Sequence, residues 1–172
     1  MILKAFREKS IQKYTNGLLN SKTVAVSDNK LESVGVIVDG SEFSDVEAFK
    51  TYFNDLGVQL PKIKIIIFAE GDKKNDKLSD NYFSKKDFGW NGCVKRLELQ
   101  KFIDTPFDAL LCFYKNEALE LKMATAASKA DFKIGLSNID DRLYDFILNV
   151  NTDQFEVFKS ELKKYLIILN KI

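Results

Sequence analysis

Two tripeptides in this chain of 172 residues carry polar groups at places where chemistry is commonly housed. Asp39-Gly40-Ser41 follows the apolar run 34–38, and Lys115-Asn116-Glu117 follows the apolar run 107–114. A carboxylate, a hydroxyl, an ammonium and an amide gathered from two strand ends would suit a small polar ligand. Asp39, Ser41, Lys115, Asn116 and Glu117 are therefore the candidate ligand-binding residues, with Glu70 and the loop 137–141 beside them. Loops at strand ends are polar in any soluble protein, and that plainer reading stands next to the first.

Much chemistry is excluded. The chain has no histidine, which removes Ser-His-Asp and Cys-His catalysis, an imidazole base and His-ligated metals. Val38-Asp-Gly-Ser-Glu42 has a single glycine where a dinucleotide fingerprint needs three, and no GxxxxGK[ST] is present. Asp87-Phe-Gly89 copies a kinase tripeptide without the other kinase elements. Asp72, Asp76, Asp140 and Asp141 lie in loops without metal-ligand spacing. Cys112 falls mid-strand and reads as a small buried hydrophobe; Cys93 falls at an expected helix start, where a thiol can lose pKa. No catalytic residue, metal site or cofactor is expected.

Charge is nearly balanced at +1 but unevenly spread. Residues 1–22 carry five basic groups against one acid, and residues 73–101 carry eight against four. Lys4, Arg7, Lys85, Lys86, Lys95 and Arg96 are the candidate polyanion-binding residues. Several stand near Tyr82, Phe83, Phe88 and Trp90, a mixture that single-stranded nucleic-acid surfaces use. An ordinary solvated lysine surface is the alternative.

The elements that must position these groups follow from periodicity. Phe6, Ile11, Tyr14 and Leu18 predict a basic helix over 3–18, docked along one edge. The runs 34–38, 63–69 and 107–114 are apolar on both faces, as strands are when helices cover a sheet above and below. Ser44 and Glu47 form a capping-box pattern ahead of a helical stripe at Val46, Phe49, Phe53 and Leu56, and Gly57 suits the left-handed position past its end. Further helices are expected over 94–103, 118–130 and 152–172, with strands at 82–83, 132–136 and 144–150. Alternating strands and helices demand parallel pairing and right-handed crossovers. The fold class expected is α/β: a three-layer Rossmann-like sandwich, strand order 3-2-1-4-5 with a possible sixth strand. The domains are a basic N-terminal helix over 1–22 and a single α/β domain over 23–172.

Two resemblances add to this reading. Within 105–137, Phe107-Asp108, Ala130, Ile134 and Gly135 stand in an arrangement of strand, alanine-rich helix and strand. That arrangement resembles the N-terminal Rossmann-like domain of heptosyltransferase-type glycosyltransferases. The whole chain resembles a bacteroidete family of unknown function, through FSKKDFxWxG at 83–92 and the FDxL…NE…SKAxFKxG block. The second resemblance implies the same fold and a bacterial cytoplasmic location, and it brings no catalytic residues.

The function expected is a non-catalytic interaction or binding module, a glycosyltransferase-like half-domain meeting a protein or RNA through its basic segments. The alternative is a protein or enzyme that binds a sugar phosphate or nucleotide in the strand-end cleft. No apolar run is long enough to span a membrane. Leu166, Ile167, Ile168 and Ile172 are too many for one buried helix face and point to a homo-oligomer through the C-terminal helix.

Overall fold

A computed structural model describes residues 2–21, 28–70, 81–136, 140 and 142–172. In chain order the elements are α1 (Ile2–Asn20), β1 (Val34–Asp39), α2 (Glu47–Asp55), β2 (Ile63–Phe68), β3 (Tyr82–Phe83), α3 (Leu97–Asp104), β4 (Ala109–Phe113), α4 (Leu119–Ala127), β5 (Lys133–Gly135), β6 (Phe146–Ile147) and α5 (Phe155–Ile168). The strands form one sheet in the order β3-β2-β1-β4-β5-β6, and each neighbouring pair is parallel. This is the expected three-layer α/β arrangement, with the sixth strand and the N-terminal helix present.

Strand alternation explains the layers. Val34, Val36 and Val38 of β1 point to one face, and meet Phe49 and Phe53 of α2 and Phe158, Leu162 and Leu166 of α5. Ile37, Leu110 and Cys112 point to the other face, and meet Phe102 of α3, Leu121 and Ala124 of α4 and Ile11 of α1. β1 and β4 are buried along their whole length. That is why their sequences show continuous apolar runs rather than alternation. Burying a Val, Leu, Ile or Phe side chain is worth roughly 1.5–3 kcal/mol each, so these two strands anchor both cores.

The block 105–136 is largely architecture. Asp108 Oδ2 accepts hydrogen bonds from Ser33 N at 2.7 Å, Ser33 Oγ at 2.7 Å and Glu32 N at 3.1 Å, tying the start of β4 to the start of β1. Lys133 is 5% exposed, and its ammonium donates to Thr125 O at 2.8 Å and Ala126 O at 3.3 Å, at the last turn of α4. A cation there meets the carbonyl end of the helix dipole. Gly135 leaves room for the Tyr144 ring, which a Cβ would meet at 2.6 Å.

Some local expectations change. Ser44 and Glu47 make no capping box: Val46 is the residue before α2, without a side-chain cap, and Asp45 Oδ1 accepts from Ala48 N at 3.3 Å instead. α3 begins at Leu97 rather than at residue 94, because residues 88–94 close an antiparallel bridge between Phe88 and Val94. Trp90–Gly92 forms a 3-10 turn inside it. Cys93 is therefore an exposed turn residue, not a helix start. α1 turns Ile11, Thr15 and Leu19 inward, while Phe6 and Tyr14 are 61% and 42% exposed. β6 keeps only two residues of the longer strand expected. α5 stops at Ile168, where Asn170 takes a left-handed φ of 55° and Leu31 N donates to Lys171 O at 2.8 Å.

Candidate functional site

Ligands of open α/β sheets sit beyond the carboxyl ends of the strands, where strand order reverses. Here that place lies between β1 and β4, and the chain fills it with its own groups. Asp39 is 1% exposed. Its Oδ1 accepts from Ser41 N at 2.8 Å and Ser41 Oγ at 2.7 Å, and its Oδ2 accepts from Asn116 Nδ2 at 2.7 Å. Glu42 accepts from the backbone amides of Lys115 at 2.8 Å and Asn116 at 2.6 Å. Lys115 Nζ donates to the Asn151 side chain. Beneath this seam Phe43 packs edge-on to Phe113, centroids 5.1 Å apart, and against Phe155 at 4.9 Å. Asp39, Ser41, Lys115 and Asn116 are thus brought together, but as a hydrogen-bonded closure.

An open cavity lies next to it. A cleft of about 580 Å³ runs between α1 and the N-terminal end of α4. It gathers Lys4, Arg7 and Lys85 with Asn116 and Glu117, drawing on both groups of sequence candidates. Lys86, Lys95 and Arg96 are not among its lining residues, and Lys73, Lys74, Lys77, Asp72, Asp76, Ser137 and Asp141 lie outside the described residues.

α1 makes one wall because several contacts pin it. Arg7 Nη2 donates to Lys85 O at 2.5 Å and Phe88 O at 3.0 Å, and Ser10 Oγ donates to Asn91 Oδ1 at 2.6 Å. Gly92, at φ +76°, accepts the Tyr14 ring against its backbone, where a Cβ would stand 2.2 Å from it. Arg142 reaches Asn20 at 2.7 Å and Asn16 at 3.1 Å from the far end. The segment 83–92 is a dock for α1: Phe83 and Phe88 enter the core, and Ser84 N donates to Asp87 Oδ2 at 2.7 Å in a capping box.

The cleft is charged in both signs. Its cations are Lys4, Arg7, Lys85 and Lys122; its acids are Glu8, Glu70, Glu117, Glu120 and Asp140. Lys85 Nζ bonds Glu70 at 2.8 Å, and that hydrogen bond raises the Lys85 pKa, with smaller help from the fields of Glu70, Glu120 and Glu8. Lys122 meets Glu117 at 3.6 Å and Lys4 meets Glu8 at 4.0 Å. Asp140 bonds Arg142 at 2.7 Å, which lowers its pKa. Exposed pairs of this kind exchange easily, since each is worth roughly 0–1 kcal/mol. Glu120 differs. It is 5% exposed, it lines the cleft, and its carboxylate makes no hydrogen bond or ion pair among the described residues.

Under α4 lies a buried polar cluster. Tyr114 Oη shares a hydrogen bond with Thr125 Oγ1 at 2.7 Å, Tyr144 Oη donates to Tyr114 Oη at 3.2 Å, and Cys112 Sγ meets Thr125 Oγ1 at 3.4 Å. Burial pushes the Cys112 thiol up to about 12 and holds both phenols above their ordinary range. These groups stay protonated and structural. Among the described residues, no three Cys, Asp or Glu gather to hold a metal ion. No helix is long and apolar enough to cross a membrane.

Sequence reasoning missed Glu42 and Glu120. Glu42 acts on amides 73 and 74 positions away, which no local pattern reveals. Glu120 stands in a helix turn that reads as solvent-facing until α1 is laid over it. A family model described as a family of unknown function (DUF6913) matches residues 7–169, and the chain belongs to that family. No curated protein and no solved structure matches it.

Proposed function

We propose that this chain is a binding protein, without chemistry of its own, whose small polar ligand sits in the cleft between α1 and α4. The observation carrying this is convergence. Lys4, Lys85, Asn116, Glu117 and Glu120 come from three separate stretches of sequence and line one cavity of about 580 Å³, a size suited to a small molecule. The strand-end crevice beside it is already filled by Asp39, Ser41, Glu42 and Asn116, which moves the candidate ligand site one layer outward.

The mixed charge speaks against a polyanion here, because the cleft holds five acids against four bases and pairs most of them. The glycosyltransferase-like block 105–137 supports the fold and carries no sugar transfer in this reading, since Asp108 and Lys133 serve the scaffold. Unpaired Cys93 and Cys112 suit a reducing compartment such as a bacterial cytoplasm.

A second reading has its own observation. Ile2, Leu3 and Phe6 at the start of α1 are 73%, 72% and 61% exposed, an apolar group that a protein partner could cover.

The test is a thermal-shift screen of metabolite mixtures on the wild type and on Gln12→Trp, which places a bulky ring at the exposed cleft wall. The proposal expects at least one compound that stabilises the wild type and not Gln12→Trp. Hits that stabilise both equally, or an absence of hits, contradict it.

A further inference from the structure

The cleft contains one charge that its surroundings leave unanswered. Glu120 is in the first turn of α4 and 5% exposed. Each neighbouring cation is engaged elsewhere: Lys85 with Glu70 at 2.8 Å, Lys122 with Glu117 at 3.6 Å, Lys4 with Glu8 at 4.0 Å. Arg7 gives its Nη2 to the carbonyls of Lys85 and Phe88. Lys85 feels Glu120 only as a field. The partial positive end of α4 offsets only part of the cost of burying this carboxylate without hydrogen bonds.

Resting on the ligand site proposed above, we infer that its ligand carries a protonated primary amine, which donates hydrogen bonds to the Glu120 carboxylate. An ammonium supplies three donors and one positive charge, the complement of a buried acceptor-only group. Charge-assisted bonds of this kind are the strong ones. A phosphate or carboxylate ligand would place a second anion against Glu120. A neutral polyol would satisfy its lone pairs and leave its charge unmatched. The cleft as a whole holds five acids against four cations, a balance that favours the same sign of ligand. The amine occupies a cavity and not a flat surface, so the ligand is a small molecule.

The experiment is calorimetric titration of the full chain with ethanolamine and putrescine. N-acetylethanolamine, glycerol phosphate and adenosine monophosphate are the comparisons. The amines should bind, N-acetylation should abolish binding of ethanolamine, and Glu120→Gln should weaken the amines about tenfold or more with the circular dichroism of the wild type retained. The acetylated comparison uses the wild-type protein and decides the matter even where Glu120→Gln folds poorly. Binding of the phosphate or the nucleotide, lost in Gln12→Trp and indifferent to Glu120→Gln, would overturn the amine while leaving the cleft as the ligand site. Amine binding that Glu120→Gln leaves unchanged would overturn the role of Glu120. No binding by any probe would overturn the inference, and a screen hit blocked by Gln12→Trp would still uphold the site.

Discussion

The carboxylate of Asp39, beside that of Glu42, joins the two halves of the sheet at their carboxyl ends. It accepts three hydrogen bonds while 1% exposed. Asp39→Ala leaves the Ser41 amide and the Asn116 side chain without their acceptor, and should cost about 3 kcal/mol in chemical denaturation. Asp39→Asn, which retains an acceptor oxygen, should cost distinctly less. Cys112 offers a second test. Its folded pKa, raised by burial from 9.0 to about 12, means that the folded state holds the proton more tightly than the unfolded one. The stability linked to this group is therefore complete below pH 9.0 and is lost as the pH climbs toward about 12. Under native conditions near neutral pH a thiol reagent should modify exposed Cys93 alone, and Cys112 should react only on unfolding; equal native labelling would contradict its burial. The polar cluster at the strand ends was legible as residues, because Asp39 and Asn116 each follow an unmistakable apolar run. Whether it was open or closed was not legible, since Glu42 settles it across 74 positions.

Among the elements, α1 decides whether the cleft exists. Its inward face is narrow, Ile11, Thr15 and Leu19, so polar contacts do much of the docking. Arg7→Ala removes two bonds to carbonyls, and Gly92→Ala forces a Cβ into a left-handed φ of +76° and into the Tyr14 ring. Each should raise amide hydrogen exchange along α1 by about tenfold or more, from roughly 1.5–3 kcal/mol of lost docking, and leave β1 and β4 protected. Loss of protection across the sheet would show that α1 belongs to the global folding unit. The helix itself is legible from Ile11 and its neighbours, yet Phe6 is 61% exposed and Tyr14 packs sideways against Gly92 of the dock rather than into the core. The dock at 83–92 makes a second wall of contact, and an isolated helical wheel cannot show that. The parallel strands were the clearest elements, because two-sided burial leaves runs such as Ile65-Ile66-Ile67 with no alternation. Local end signals fared worse: Ser44 and Glu47 have cap chemistry, but the backbone enters α2 at Val46.

At the scale of the whole molecule, apolar exposure and charge point to different surfaces. Ile167, Ile168 and Leu169 are 55%, 67% and 42% exposed at the end of α5, whereas Leu166 is buried and Ile172 packs on the core. If they form an interface between copies, Ile168→Lys should shift sedimentation toward the monomer. An unchanged sedimentation coefficient would leave α5 as a solvated end. Of the two positive segments on this near-neutral chain, Lys4, Arg7 and Lys85 line the cleft with acids set among them, and Lys95 and Arg96 do not line it. Under the proposed function the cavity beneath α1, and not the crevice between β1 and β4, receives the ligand. Amide chemical-shift mapping of the labelled protein with ethanolamine tests it most directly. Shifts confined to Lys4, Gln12, Thr15 and residues 117–122 are the predicted result; shifts centred on Gly40, Ser41 and Phe43, with α1 silent, would contradict it.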